Sequence, residues 1–170
     1  MANIYLIGMR GVGKTSIGKV LAQRLGRDFI DIDEQIALKE GKTIMEIVAD
    51  QGWEEFRKRE NAMVQEISKK ENSVVSTGGG ALMHFDNAQI LKSSGKLFLL
   101  VATPAVLVER LKASHQRPSL NGKDPLEEID EIWEQRKEIY YKYADEVVDT
   151  EPWDQERIMS ELGLKTALAG

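Results

Sequence analysis

Residues 8–15 read GMRGVGKT and match G-x-x-x-x-G-K-[ST] in full. The match lies between an apolar run, NIYLI at 3–7, and a helical pattern, the context that the motif requires. Its chemistry is polyphosphate binding. Glycines let consecutive backbone N–H groups turn inward around an anion with no Cβ in the way. A helix starting at Lys14 adds its positive end to that field. Lys14 can reach the β- and γ-phosphates, and the Thr15 hydroxyl can ligate Mg2+. Arg10, Gly11, Val12, Gly13, Lys14, Thr15 and Ser16 are the expected phosphate-binding set. An accidental glycine-rich turn explains a full match in its proper place poorly, so the chain is expected to bind a nucleoside triphosphate.

What receives the phosphate is a separate question. Asp31 and Asp33 stand two apart in DFIDID, so in extended backbone both carboxylates point to one side. That pairing suits Mg2+ coordination and the positioning of a hydroxyl; alternatively, one of the two merely caps the helix beginning at Glu34. Arg57 lies in EEFRKRE with Glu60 one turn later, by itself a solvated i,i+3 salt bridge. A second glycine run, STGGGAL at 76–82, either brings the bare backbone of Gly78, Gly79 and Gly80 close to a ligand or is a flexible connector. Arg117 lies in QRPSL and Arg136 in EQRKEIYYKYAD. NGKD at 121–124 has the wrong order for the N-K-x-D reader of a GTPase and does not follow a strand. An L-S-G-G-Q-type transporter signature is absent.

The elements that must position these residues alternate along the chain. Strands are expected at NIYLI, DFIDID, SVVS, KLFLLVA and EVVDT. Ile17, Val20, Leu21 and Leu25 recur at helical spacing, and Gly26 stops that helix. A short helix, EQIALKE, ends at Gly41, and Thr43 with Glu46 forms a capping-box pattern for a further turn. A longer helix from Trp53 to Lys70 turns Phe56, Met63, Val64 and Ile67 inward. Asp86 opens another helix, Thr103-Pro104 a third, and two more run from Leu126 to Tyr143 and from Trp153. HQRPSLNGKDP, polar and with two prolines, reads as a loop that orders only when substrates bind. Trp53 and Trp153 read as packing residues. Strands separated by helices imply a parallel sheet covered on both faces.

Composition narrows the partners. The 170 residues carry a net charge of −5, which argues against broad binding to nucleic acid or anionic membranes. There is no cysteine, so disulfides and thiolate metal sites are excluded. No apolar run approaches a membrane span, and no basic segment precedes the first apolar run as in a targeting peptide. A soluble, cytoplasmic protein with one domain and no wide apolar stripe, hence a monomer, is the expectation.

Taken together, GMRGVGKTS, DID, EEFRKRE, STGGGA, QRP and the arginine-to-tyrosine helix resemble the shikimate kinases in order and spacing, from Ile4 to about Leu162. Two departures are RPSL, where the family usually reads R-P-L-L, and RKEIY, where it usually reads R-x-P-L-Y. The resemblance implies a three-layer α/β/α P-loop fold with a five-stranded parallel sheet of order 2-3-1-4-5. It further implies one kinase domain over 1–170, an acceptor-binding region at about 33–62 and a lid at about 113–125. The implied activity is MgATP-dependent phosphorylation of the 3-hydroxyl of shikimate, with no nucleic acid or membrane partner. By resemblance, Asp33, Arg57, Arg136 and the backbone of Gly78, Gly79 and Gly80 hold shikimate, and Asp33 holds the reacting hydroxyl. Thr15 and Asp31 organise Mg2+, Lys14 and Arg117 meet the transferring phosphate, and Arg110 with Pro152 flanks the adenine. The alternatives are another small-molecule P-loop kinase, such as a gluconate or nucleoside monophosphate kinase, and an ATP-binding module without turnover.

Overall fold

The computed structural model describes residues 1–113 and 122–167. Five parallel strands, β1 (Asn3–Ile7), β2 (Asp28–Asp31), β3 (Ser73–Ser76), β4 (Gly95–Val101) and β5 (Glu146–Asp149), form one sheet. Their order is β2-β3-β1-β4-β5, as the family resemblance implies. Every residue of β1 and of β3 is buried, the near-continuous burial expected when helices cover both faces of a parallel sheet. The intervening helices are α1 (Lys14–Leu25), α2 (Ile32–Glu40), α3 (Ile44–Ile67), α4 (Phe85–Ser94), α5 (Pro104–Lys112), α6 (Pro125–Tyr143) and α7 (Gln155–Ala167). Strand order reverses about β1, and such a crevice at the carboxyl ends of the strands is where α/β folds bind ligands.

Register sets the height of the polar groups at that crevice. Leu6 pairs with Ser76, and Ser76 with Asp31. The last residues of β2 and β3 therefore stand level beside the strand that feeds the phosphate loop.

Local signals place most of the helix ends. Gly26 and Gly41 close α1 and α2 in the left-handed conformation. Thr43 and Glu46 form the expected capping box, and Pro104 and Pro125 sit in the first turns of their helices. Two expectations are corrected. The capping-box turn and the helix read from Trp53 are one element, α3, interrupted at Gly52, where φ of 81° is non-helical. The second strand stops at Asp31 rather than running to Asp33: the Asp31 carboxylate accepts the Glu34 N–H at 3.1 Å and so caps α2. A capping bond to the helix outweighs two more residues of strand alternation.

Asn3 is a buried polar residue in an apolar strand, and its amide explains why. It donates to the Lys70 carbonyl at 2.9 Å and to the Tyr5 hydroxyl at 3.1 Å, and it accepts from the Ser73 N–H at 3.0 Å. Asn3 thus pins the segment after α3 and the start of β3 to β1. Replacement by leucine keeps the volume and orphans two backbone groups, at about 1–3 kcal/mol each. Asn3→Leu should lose about 3 kcal/mol, a fall in melting temperature of about 6–12 °C in a thermal denaturation scan.

Candidate active site

The phosphate loop leaves β1 and enters α1 at Gly13, whose φ of 105° suits glycine. A side chain on Gly13 would also strike the Trp153 ring, which lies against the loop. Lys14 is buried and donates to the carbonyls of Gly8 at 2.7 Å and Met9 at 2.9 Å. The loop carries its own cation, folded against its own dipoles. A cleft of about 750 Å³ opens over this region, lined by Arg10, Gly11, Gly13, Lys14, Thr15 and Ser16 from the loop. Val12 is fully buried and offers backbone only; its carbonyl accepts from Arg110.

Across the cleft, Thr15 Oγ1 donates to Asp31 Oδ2 at 2.6 Å, with Ser76 Oγ 3.4 Å from Thr15. The pairing of Asp31 and Asp33 along an extended strand does not occur, because Asp33 lies in the first turn of α2. Both carboxylates nevertheless line the cleft, Asp31 from the strand end and Asp33 from the helix start. The buried Ile32 between them anchors the turn in the core. Thr15, Asp31 and Ser76 present hydroxyl and carboxylate oxygens, a donor set that fits Mg2+. No cluster of three or more acidic, histidine or cysteine side chains suited to a metal occurs among the described residues. A cation here would complete its shell from nucleotide and water.

Arg110 donates to Thr150 Oγ1 and to the Thr150 carbonyl, both at 2.9 Å, and its guanidinium lies 5.1 Å from the centre of the Trp153 ring. Trp153, expected as packing, thus lines the larger cleft, while Pro152 beside it, after a cis peptide bond, is exposed and outside the lining. Most of the expected lid, with Arg117, lies outside the described residues.

A second, smaller cleft adjoins the first, and Arg10 and Asp33 line both. Its walls are Arg57, Glu60, Trp53 and Phe56 from α3, Arg136 from α6 and the run Gly78–Gly80. The glycine run is a buried turn, not a flexible connector. Each glycine makes room for a different charged group. A Cβ on Gly78 would strike Glu60 Oε2, one on Gly79 would stand 3.3 Å from Arg136 Nη1, and one on Gly80 would overlap the Arg57 guanidinium. Arg57 lies over the rings of Trp53 and Phe56, at 5.4 and 5.3 Å from their centres. Trp53, too, is a wall of the site rather than a packing residue alone.

The Arg57–Glu60 pair forms at 2.8 Å but is not the solvated bridge expected, because Glu60 is only 1% exposed. It faces inward with Phe56, Met63 and Val64 on the buried side of α3. Its Oε2 has no hydrogen-bond partner. Burial pushes the Glu60 pKa up, the Arg57 guanidinium opposes the rise, and the nearby Asp33 charge adds to it.

The sequence reading also missed a chain of amides behind the turn. Asn61 donates to Asn87 Oδ1 at 2.7 Å, and Asn87 donates to the Ala81 carbonyl at 3.0 Å. No motif marks these residues, since each is an ordinary asparagine on a helix.

The model of the shikimate kinase family matches residues 10–166. The chain belongs to the shikimate kinase family. It is 41% identical to a shikimate kinase of Syntrophus aciditrophicus, covering 94% of this chain and 88% of that one. A shikimate kinase of Thermodesulfovibrio yellowstonii is also 41% identical, over 95% of this chain and 93% of its own. The solved structure of shikimate kinase from Acinetobacter baumannii in complex with shikimate aligns with a TM-score of 0.93 at 31% identity. That alignment covers 99% of this chain and 94% of that one.

In this shikimate kinase family member the buried Glu60 gives a test in pH. Its folded pKa is raised, so the stability tied to its proton is complete below the unfolded value of about 4.3 and is lost as pH rises through the folded value. Glu60→Gln is neutral throughout, so its stability relative to the parent should improve as pH climbs from about 4 to about 8. Urea unfolding of both proteins across that range checks the trend, and a pH-independent difference would contradict it.

Proposed function

We infer that this chain transfers the γ-phosphoryl group of ATP to the 3-hydroxyl of shikimate, giving 3-phosphoshikimate and ADP, a step of the shikimate pathway. The observation that carries the reading is the shared wall: Asp33 lines both the phosphate-loop cleft and the cleft holding Arg57, Arg136 and the three glycines. An acceptor gripped at one end by guanidinium groups would present a hydroxyl to Asp33, facing the nucleotide. At an effective dielectric near 20, one charge pair at ~4 Å gives roughly 4 kcal/mol before desolvation. Arg57 and Arg136 together therefore favour a carboxylate, and a neutral sugar would gain no charge pairing from either guanidinium group. The family relatives named above support the same acceptor.

In the mechanism we assign, Lys14 leaves the Gly8 and Met9 carbonyls for the phosphate oxygens. Arg10 stands between the two substrates, and Arg117 meets the transferring group from the lid at about 113–125. Mg2+ held through Thr15 and Asp31, with Ser76 beside them, would neutralise the charge of the triphosphate. Asp33 orients the hydroxyl and takes its proton late, because a carboxylate is far too weak a base to generate an alkoxide early. Arg110 and the Trp153 region flank the base, with Pro152 at the margin. The acceptor cleft holds only about 20 Å³, room for about one water. A ring acceptor therefore enters only when side chains of the wall, Arg57 and Arg136 among them, move apart.

The same reading makes 1–170 one kinase domain with its acceptor-binding region at about 33–62. It works as a monomer in the cytoplasm with ATP and shikimate as partners and without nucleic acid or membrane. A net charge of −5 argues against binding to nucleic acid and anionic membranes, and no helix among the described residues is long and apolar enough to cross a membrane.

Two measurements test the reading. A coupled ADP-release assay with shikimate, quinate, gluconate and nucleoside monophosphates as acceptors should show turnover dominated by shikimate; preference for gluconate or a nucleotide would overturn it. Asp33→Asn should lower kcat by about 10²–10⁴-fold while calorimetry still detects shikimate binding. Near-normal turnover in that variant would remove Asp33 from the chemistry.

A further inference from the structure

The glycine turn has three successive carbonyls, and each is held by a definite donor. The Gly78 carbonyl accepts from the Ala81 N–H and the Gly80 carbonyl from the Met83 N–H, both at 3.1 Å within the turn itself. The Gly79 carbonyl is held differently, by the hydroxyl of Tyr140, which comes from α6, 61 positions away. Tyr140 is 1% exposed, and its ring stacks on Trp133 with centres 6.3 Å apart and planes 27° from parallel. It stands one helical turn beyond Arg136, on the same face of α6.

We propose that Tyr140 is a positioning residue for the acceptor's carboxylate, its hydroxyl fixing the Gly79–Gly80 peptide beside Arg136. A peptide group is planar and trans, so its C=O and N–H point in opposite directions. With the Gly79 carbonyl drawn toward Tyr140, the Gly80 N–H is turned away from it. The two guanidinium groups then flank this one peptide, Arg136 against the α-carbon of Gly79 and Arg57 against that of Gly80. Burial raises the Tyr140 hydroxyl's pKa, against the pull of the Arg136 guanidinium beside it, so the hydroxyl stays a donor through the neutral range. A phenol anchored by ring stacking is a stiff support, since only two torsions set the position of its oxygen.

The proposal rests on the shikimate-phosphorylating reading above, and its test separates the two. Tyr140→Phe keeps the ring and its stack on Trp133 and removes only the hydroxyl. Steady-state kinetics should show KM for shikimate raised about tenfold, the change given by one lost buried hydrogen bond. kcat and KM for ATP should stay within about twofold, as such a bond carries no charge to the transferring phosphate. The methyl ester of shikimate, which lacks the anion, should lose less than shikimate does. Tyr141→Phe, at the exposed neighbouring tyrosine, should leave all parameters unchanged. A shikimate KM within about twofold of the parent, or a parallel rise in both KM values, would overturn the proposal. If Tyr140→Phe melts below the assay temperature, the rise in melting temperature produced by saturating shikimate replaces the kinetics: a smaller rise than in the parent supports the proposal, and an equal one overturns it. Absence of turnover in the unmodified enzyme sinks the functional reading itself, and the proposal with it.

Discussion

Charge buried without water must be matched by charge, and the acceptor side of this protein is organised around that constraint. Glu60, nearly inaccessible, faces Arg57, Asp33 stands close to it, and Arg136 closes the far side. Removing any member of such a set leaves its partner uncompensated at a cost of several kcal/mol. The glycines of the turn between them are a consequence: three charged side chains converge where a Cβ on Gly78 or Gly80 would collide and one on Gly79 would be crowded. With Arg10 included, the cleft is lined by three guanidinium groups and two carboxylates, a balance that suits an anionic acceptor.

The nucleotide side solves the same problem with backbone. Lys14 is held by two carbonyls of its own loop, and Thr15 is held by Asp31, itself occupied in capping α2. These interactions keep the polar groups in place before ligand arrives, so binding exchanges partners rather than creating order from nothing. Asp33 joins the two halves because α2 begins immediately after the strand end.

Support for the site comes from outside it. The amide chain through Asn61 and Asn87 holds the far end of the glycine turn, and Tyr140 holds its middle. These side chains are neutral, and Asn87 and Tyr140 are buried, so they fix the backbone without altering the charge balance that selects the acceptor.

Much of this was legible in the chain itself. The phosphate loop, the order of strands and helices along the chain and the capping box at Thr43 follow from short-range rules, since backbone geometry and periodicity are written in neighbouring residues, whereas Arg57 and Arg136 stood out only through the family resemblance. Other features came only with the tertiary structure. Asp31 could end a strand or continue it, and a capping bond settled the matter. The Arg57–Glu60 pair has the spacing of any surface bridge, and only the packing of α3 buried it. Trp153 reaches Gly13 from 140 positions away in the chain, and Tyr140 reaches Gly79 across 61. Local sequence determined which chemical groups this protein carries and in what backbone; long-range packing decided which of them lose their water, and with it how strongly each acts on the next.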